Sequence, residues 1–280
     1  MKPVEELTFT DDFMFGRILQ NPEICKGFLE RLLEINIEKI EYPTLQKTIS
    51  PLYEAKGIRL DVYVQDSNRV FDIEIQNVLE ENLPKRTRYY QSIMDMDLLS
   101  KGKNYSEVKE RYIIFICKDD FFGLNSPCYS FDNLCREHRT LELGDKCHKI
   151  FFNASAFEKE KNIEKKSILE YIIDKKSTSD FTTNLDNLVE ETKLCELFRS
   201  DYMVWGLAEF DAEQRGFKAG VSQGIQDGIT QGAEQKAIET AKKMLYDKLP
   251  LESISKYTGI PLLDVEKLAT ELSKTTNPVA

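Results

Sequence analysis

Residues 59–76, RLDVYVQDSNRVFDIEIQ, restrict the possible folds more than any other stretch of the chain. Two alternating runs rich in β-branched and aromatic residues flank the turn formers Asp66, Ser67 and Asn68, which predicts two antiparallel strands. A turn centred between Ser67 and Asn68 sets Asp61 directly across from Glu74. Side chains so opposed have Cβ atoms roughly 4.5–5.5 Å apart. Two carboxylates at that distance repel unless a proton or a cation lies between them. Glu74 and Gln76 are two residues apart and share a face, while Ile73 and Ile75 point to the other, apolar one. Two carboxylates and an amide therefore converge in front of an apolar layer, the outline of a divalent-cation site. The same spacing also fits a charged, solvent-facing side of a half-exposed sheet, with Asp72 as a further member.

Around the hairpin the periodicity changes repeatedly. Thr10 is the candidate N-cap of a first helix, with Asp11 and Asp12 in its first turn, where they suit the positive end of the helix dipole. Phe15, Ile18 and Leu19 give it an apolar stripe, and Phe28, Leu29, Leu32 and Leu33 repeat the stripe after Asn21 and Pro22. A first strand is expected within residues 42–50, and a helix over about 80–100 that breaks at Gly102. RYIIFICK, residues 111–118, is a continuous apolar run of strand length, as in a strand covered on both faces. One more strand is expected at 149–153, and helices over most of 156–200. Helix, strands, helix, strand around a covered sheet implies α/β layering.

Asp61 followed by Glu74, Ile75 and Gln76 resembles the signature of the PD-(D/E)XK nucleases, with Gln in place of the usual Lys and Leu60 in place of the usual proline. The surroundings resemble the Rpn branch, recombination-promoting nucleases and transposase-like proteins. The resemblance lies in TDDFMFGRILQNPEICKGFLERLL (10–33), RTRYYQSIMDMDLLSKGKNYSEVKERYIIFI (86–116), KIFFNAS and YMVWGLAEFDAEQRG. It runs in order over most of residues 8–235. It implies a restriction-endonuclease-like core, a mixed central sheet flanked by helices, within residues 1–200, and an all-helical C-terminal extension. It also implies DNA cleavage connected with recombination, mobile elements or phage conflict.

Phosphodiester hydrolysis needs an activated water, neutralisation of phosphate charge and help for the leaving oxygen. Mg²⁺ held by one or two carboxylates and several waters supplies all three, and Mn²⁺ is an alternative ion. Asp61 and Glu74 are the expected direct ligands, with the main-chain carbonyl of Ile75 as a third. Gln76 cannot carry a charge, but its amide can hydrogen-bond both water and a phosphate oxygen. Asp12 matches the family's aspartate at the start of the first helix and would join the site as an outer ligand; stabilising the helix N-terminus explains it equally well. Lys85, Arg86, Arg88, Lys101, Lys103, Lys109 and Arg111 cluster after the acidic residues and offer a basic face for DNA. Arg88 is a candidate for bidentate phosphate contact, and Tyr90 for stacking or hydrogen bonding. One tyrosine of the adjacent pair Tyr89 and Tyr90 should simply face the core.

The net charge of −10 argues against tight, metal-free DNA binding. The six cysteines are scattered, and no signal segment or membrane-length apolar run is present, so reduced thiols in a cytoplasmic protein are expected. Cys135, His138, Cys147 and His148 lack the spacing of a structural zinc site.

Residues 201–235 form a segment of their own. Gly216, Gly220, Gly224, Gly228 and Gly232 recur every four residues, each followed by Phe217, Val221, Ile225, Ile229 or Ala233. Each glycine costs an isolated helix roughly 1 kcal/mol relative to alanine. Small residues at this spacing let two backbones approach, and interleaved polar residues exclude a membrane span. A self-associating helix that makes a homodimer or higher homo-oligomer is therefore preferred over a flexible linker. Residues 236–280 are expected to form three short helices, at 237–249, 251–258 and 261–272, resembling a helix-turn-helix with Gly259 at its turn. The acidic second helix favours a packing or partner module over DNA reading. Three functions remain: a Mg²⁺-dependent DNA endonuclease, a catalytically weak or inactive nuclease-fold DNA-binding protein, and an oligomerising adaptor.

Overall fold

The structure is a computed structural model and describes residues 1–41, 43–49, 58–99 and 102–276. It divides into two compact units, residues 1–203 and 204–280. The first holds a six-stranded sheet in the order β1 (Thr44–Ile49), β2 (Ile58–Gln65), β3 (Arg69–Gln76), β4 (Glu110–Cys117), β6 (Cys147–Asn153) and β5 (Cys128–Phe131). The first three strands are antiparallel, β3, β4 and β6 run parallel, and β5 pairs antiparallel with β6 at the edge. The hairpin has the expected register, with Val62 opposite Ile73 and Tyr63 opposite Asp72.

The hairpin's turn is clamped by side chains. The Asp66 carboxylate accepts from the main-chain N–H groups of Asn68 and Arg69 and pairs with the Arg69 guanidinium, which also donates to the carbonyl of Asn36. This clamp fixes the register, and in a strand a slip of one residue would turn every side chain to the opposite face.

Helix α1 (Asp12–Leu19) and α2 (Pro22–Leu33) open the chain. The second helix begins after Asn21 as the sequence suggests, with Asn21 as its cap, but Thr10 does not cap α1. Asp11 holds that position, and its carboxylate accepts instead from the N–H and hydroxyl of Thr8 while pairing with Lys2. Apolar packing on this side of the sheet joins Phe9, Phe15, Phe28 and Tyr171 through edge and tilted ring contacts. Phe15, Leu19, Phe28 and Leu29 are completely enclosed.

Helix α3 (Leu83–Leu98) connects β3 to its parallel neighbour β4 and starts three residues later than the apolar pattern suggests, with Pro84 in its first turn. Its Ile93 and Met94 pack with Tyr63 and Val70, and Leu83 and Tyr90 with Ile113 and Phe115. Strand β5 escaped the sequence reading because four residues, CYSF, are too few to display an alternation. Helices α4 (Ile163–Asp174) and α5 (Asp180–Leu194) follow.

Helix α6 (Glu196–Tyr246) runs unbroken through all five glycines of the tetrad and includes most of what the sequence suggested as a separate helix at 237–249. In the second unit, α7 (Leu251–Thr258) and α8 (Leu262–Thr276) pack with the end of α6 around Ala241, Ile254 and Val265. Gly259 ends α7 with a φ of +74°, a left-handed conformation that glycine adopts without strain. No helix among the described residues is long and apolar enough to cross a membrane.

Candidate active site

A cleft of about 900 Å³ opens beside the strand pair β2–β3 and the start of α3. Asp61, Glu74, Ile75 and Gln76 line its floor, Asp12 reaches it from α1, and Lys85, Arg86, Arg88 and Tyr90 border it from α3. The cleft thus gathers Asp12, Asp61, Glu74, Ile75 and Gln76 with Lys85, Arg86, Arg88 and Tyr90, but not the later basic residues Lys103, Lys109 and Arg111.

The two apposed carboxyls are locked into the backbone. Glu74 Oε1 accepts from the N–H of Asp61 at 3.0 Å, and Asp61 Oδ2 accepts from the N–H of Ile75 at 3.3 Å. Each strand therefore holds the other strand's acid. Burial pushes the Asp61 carboxyl up to about 6, helped by the charge of Asp12, while the Ile75 N–H opposes the rise. Burial also lifts Glu74, to about 8, with Asp61 adding to the rise and the Asp61 N–H and Arg86 countering it.

Asp72, on the same face, is completely buried, and neither of its oxygens has a hydrogen-bond partner. Burial and then the charges of Glu74 and Asp61 raise it well above the carboxylate range. A solvent-facing acidic strip is therefore the wrong description of this face. The covering residues of α3 turn it into a desolvated acidic pocket.

Such a pocket suits a cation. Asp72 and Glu74 are buried and Asp61 partly so, which leaves carboxyl oxygens in a place where protons or a cation must balance their charge. Among the described residues no three His, Cys, Asp or Glu side chains already form a complete ligand group. Two carboxylates, a main-chain carbonyl and waters are nevertheless what Mg²⁺ commonly accepts. The Ile75 carbonyl accepts from Gln76 Nε2 at 3.2 Å, and Gln76 Oε1 is buried without a partner. An acceptor is thus left open beside the acids.

Three further residues shape the cleft without having stood out in the sequence. Asn77 donates to the carbonyl of Thr10 at 2.8 Å and approaches Asp12 at 3.4 Å, so it ties the start of α1 to the end of β3. Glu80 pairs with Arg86, and Arg59 lies close enough to Asp61 to oppose the rise of its pKa. The position of Asn77 directly after Gln76 was the available signal.

The basic cluster does not stay together. Arg111 is buried and pairs with Asp95 at 2.8 Å, Lys109 bonds Gln65 and the carbonyl of Asp66, and Lys103 pairs with Glu107. Lys101 lies outside the described residues. Of the adjacent tyrosines, Tyr90 packs toward the core and Tyr89 is the exposed one. The Cys/His group makes no metal site either, since His148 is held between Asp132 and Glu110.

The profile of one protein family, described as "PD-(D/E)XK nuclease family transposase", matches residues 9–200. The chain belongs to this family. No curated protein and no solved structure matches it. The matched span covers the whole sheet and helices α1 to α5, so the acidic cleft lies within the family domain. The mixed sheet flanked by helices is the PD-(D/E)XK nuclease fold, and the helices beyond residue 200 lie outside the matched span.

Proposed function

We propose that the protein is a Mg²⁺-dependent DNA endonuclease of the cytoplasm, able to use Mn²⁺, that hydrolyses phosphodiester bonds in recombination, mobile-element transfer or phage conflict. The apposition of Asp61 and Glu74, each held by the other's strand, with Glu74 buried and Asp61 partly buried, carries this reading. Asp61, Glu74 and the Ile75 carbonyl would hold the ion. When bound, a divalent ion polarises the phosphate and lowers the pKa of a water bound to it.

The chain's own side chains supply the positioning. Gln76 fixes its amide on the Ile75 carbonyl and presents Oε1 as an acceptor for an O–H of the attacking water. It orients that water and takes no proton from it. Asp12, tethered by Asn77, adds negative charge at the outer edge of the site. Lys85 and Arg88 line the cleft and pair with no carboxylate among the described residues, so they are available for strand phosphates. Tyr90, kept protonated by burial and by Glu74, offers a hydroxyl donor.

A homodimer belongs to the same reading. Nothing among the described residues would come within 4 Å of a Cβ built at Gly216, Gly220, Gly224, Gly228 or Gly232. Phe217, Val221, Ile225 and Ile229 are exposed on the same helix. Open space beside small residues, flanked by exposed apolar ones, supports a close helix–helix contact between copies of the chain.

Nicking of supercoiled plasmid tests the central claim. Wild type should cut with Mg²⁺ and stop with EDTA, while Asp61→Ala should be inactive yet folded. DNA binding without cutting in Mg²⁺ or Mn²⁺ would favour the inactive nuclease-fold alternative, for which the uncharged Gln76 is the specific argument.

A further inference from the structure

Arg86 occupies a position that phosphate binding alone does not explain. Its Nη2 lies 3.1 Å from Glu74 Oε2 and its Nη1 lies 3.0 Å from Glu80 Oε2. The guanidinium also stands 5.0 Å from the Phe115 ring centroid and 5.5 Å from that of Tyr90. Its side chain is 21% exposed, and its Nε is buried without a partner. Glu74 Oε1 is already committed to the N–H of Asp61, so Arg86 holds the other oxygen, the one that no main-chain group claims.

We propose that Arg86 is the resident counter-cation of the Asp61, Asp72 and Glu74 carboxyls, which a divalent ion displaces from Glu74, and that the displaced guanidinium then binds the substrate phosphate. The inference rests on the metal-dependent reading above and adds a positioning role that opposes metal binding.

Three features argue for it. An arginine keeps its charge under all ordinary conditions and presents a planar fork of donors, so it can balance an acidic pocket without being a metal. Its two partners differ in setting: Glu74 is buried, whereas the Glu80 side chain is 50% exposed at the cleft edge. A guanidinium released from Glu74 therefore keeps an anchor on Glu80 while it moves toward the cleft. Finally, a cation at Glu74 Oε2 would lie a few ångströms from the guanidinium, where like charges repel strongly in a partly desolvated site.

A residue that merely braces Glu74 makes the opposite prediction for metal affinity. Bracing predicts weaker ion binding when the arginine is removed, whereas a competing counter-cation predicts tighter binding. Calorimetric titration of the full chain with Mn²⁺ at pH 8, without DNA, separates the two. Arg86→Met should bind Mn²⁺ about 5–10-fold more tightly than wild type, because a competing positive charge is gone. Arg86→Lys, which keeps the charge and loses the fork, should gain about 2–3-fold. In plasmid assays at saturating Mn²⁺, Arg86→Met should nonetheless cut about a hundredfold more slowly, because a donor to the transition-state charge is lost.

Unchanged or weaker Mn²⁺ binding in Arg86→Lys or in folded Arg86→Met overturns the proposal while leaving the metal site standing. The lysine variant decides the matter alone should the methionine variant fail to fold. Wild-type Mn²⁺ binding that is absent, or that survives Asp61→Ala, overturns the metal-dependent reading itself and the role of Arg86 with it.

Discussion

At the scale of single residues the acidic cleft is defined by what has been removed from water. Asp61, Asp72 and Glu74 all have carboxyls raised first by burial, with the charge of Asp12 adding to the rise at Asp61, that of Asp61 at Glu74, and those of Glu74 and Asp61 at Asp72. A raised folded pKa means that the folded protein keeps protons which the unfolded chain has already released. The stability this contributes is whole below the ordinary carboxylate range and is lost as pH rises through about 6 for Asp61 and about 8 for Glu74. Metal-free protein should therefore lose stability from these groups between pH 5 and 9, and Asp61→Asn, which cannot ionise, should show a shallower loss. Urea midpoints in EDTA across that range check this; parallel curves for the two proteins would mean that Asp61 ionises as freely as in the unfolded chain. Divalent ions should counter the loss most strongly at the alkaline end, where no proton must leave first. Gln76 belongs to the same scale. Gln76→Ala should reduce cleavage about tenfold or more while leaving Mn²⁺ affinity within about twofold, because its amide positions water without being a principal ligand. Gln76→Lys should keep or raise activity by restoring a cation at the developing charge. Single-turnover rates beside calorimetric affinities make the comparison, and no change in either variant would place residue 76 outside the chemistry.

At the scale of elements, legibility followed the length and regularity of the pattern. The β2–β3 pairing could be read to the residue because two alternating runs meet at a turn with a single fitting centre, and β4 stood out as an unbroken apolar run. The four-residue β5 carried no such signal. Of the acidic site, Asp61 and Glu74 were visible in sequence because register alone brings them together. The burial of Asp72 was not visible, since it depends on α3 closing over that face, and covering is a tertiary property. Arg86 was obscured for a related reason: nothing local distinguishes it from Arg88 two residues later, yet only Arg86 reaches Glu74. The capping of α1 turned on one hydrogen-bonding choice, Asp11 bonding back to Thr8. Helix α6 runs through five glycines against their low helix propensity, and each of them faces open space among the described residues. Alanine at Gly220 meets open space, so Gly220→Ala should stabilise the helix by about 1 kcal/mol. Slower amide exchange across residues 216–232 would register it, whereas unchanged or faster exchange would mean that the glycine is required as it stands.

At the scale of the whole molecule, the proposed dimer governs the kind of break made in DNA. A single cleft cuts one strand per encounter, so cutting both strands in one encounter needs two copies. Glycines four apart drift about 40° around an ideal helix at each step, which makes the stripe wind and asks a partner helix to wrap in a right-handed sense. Gly224→Leu combined with Gly228→Leu should block close approach, shift the mass in light scattering toward monomer and favour nicks over double-strand cuts. An unchanged dimer mass would remove this helix from the interface, and a monomeric wild type would remove the dimer. The turn clamped by Asp66 has a different consequence, for how such a site can change over generations. Because side chains alternate, the spacing between Asp61 and Glu74 behaves like a reading frame. Losing one turn residue leaves two choices: slip the pairing and turn one acid away from the other, or keep the acids opposed and abandon the Asp66 clamp. Substitutions can accumulate in this hairpin, but a change of its length by one residue forfeits either the site or the turn that sets it.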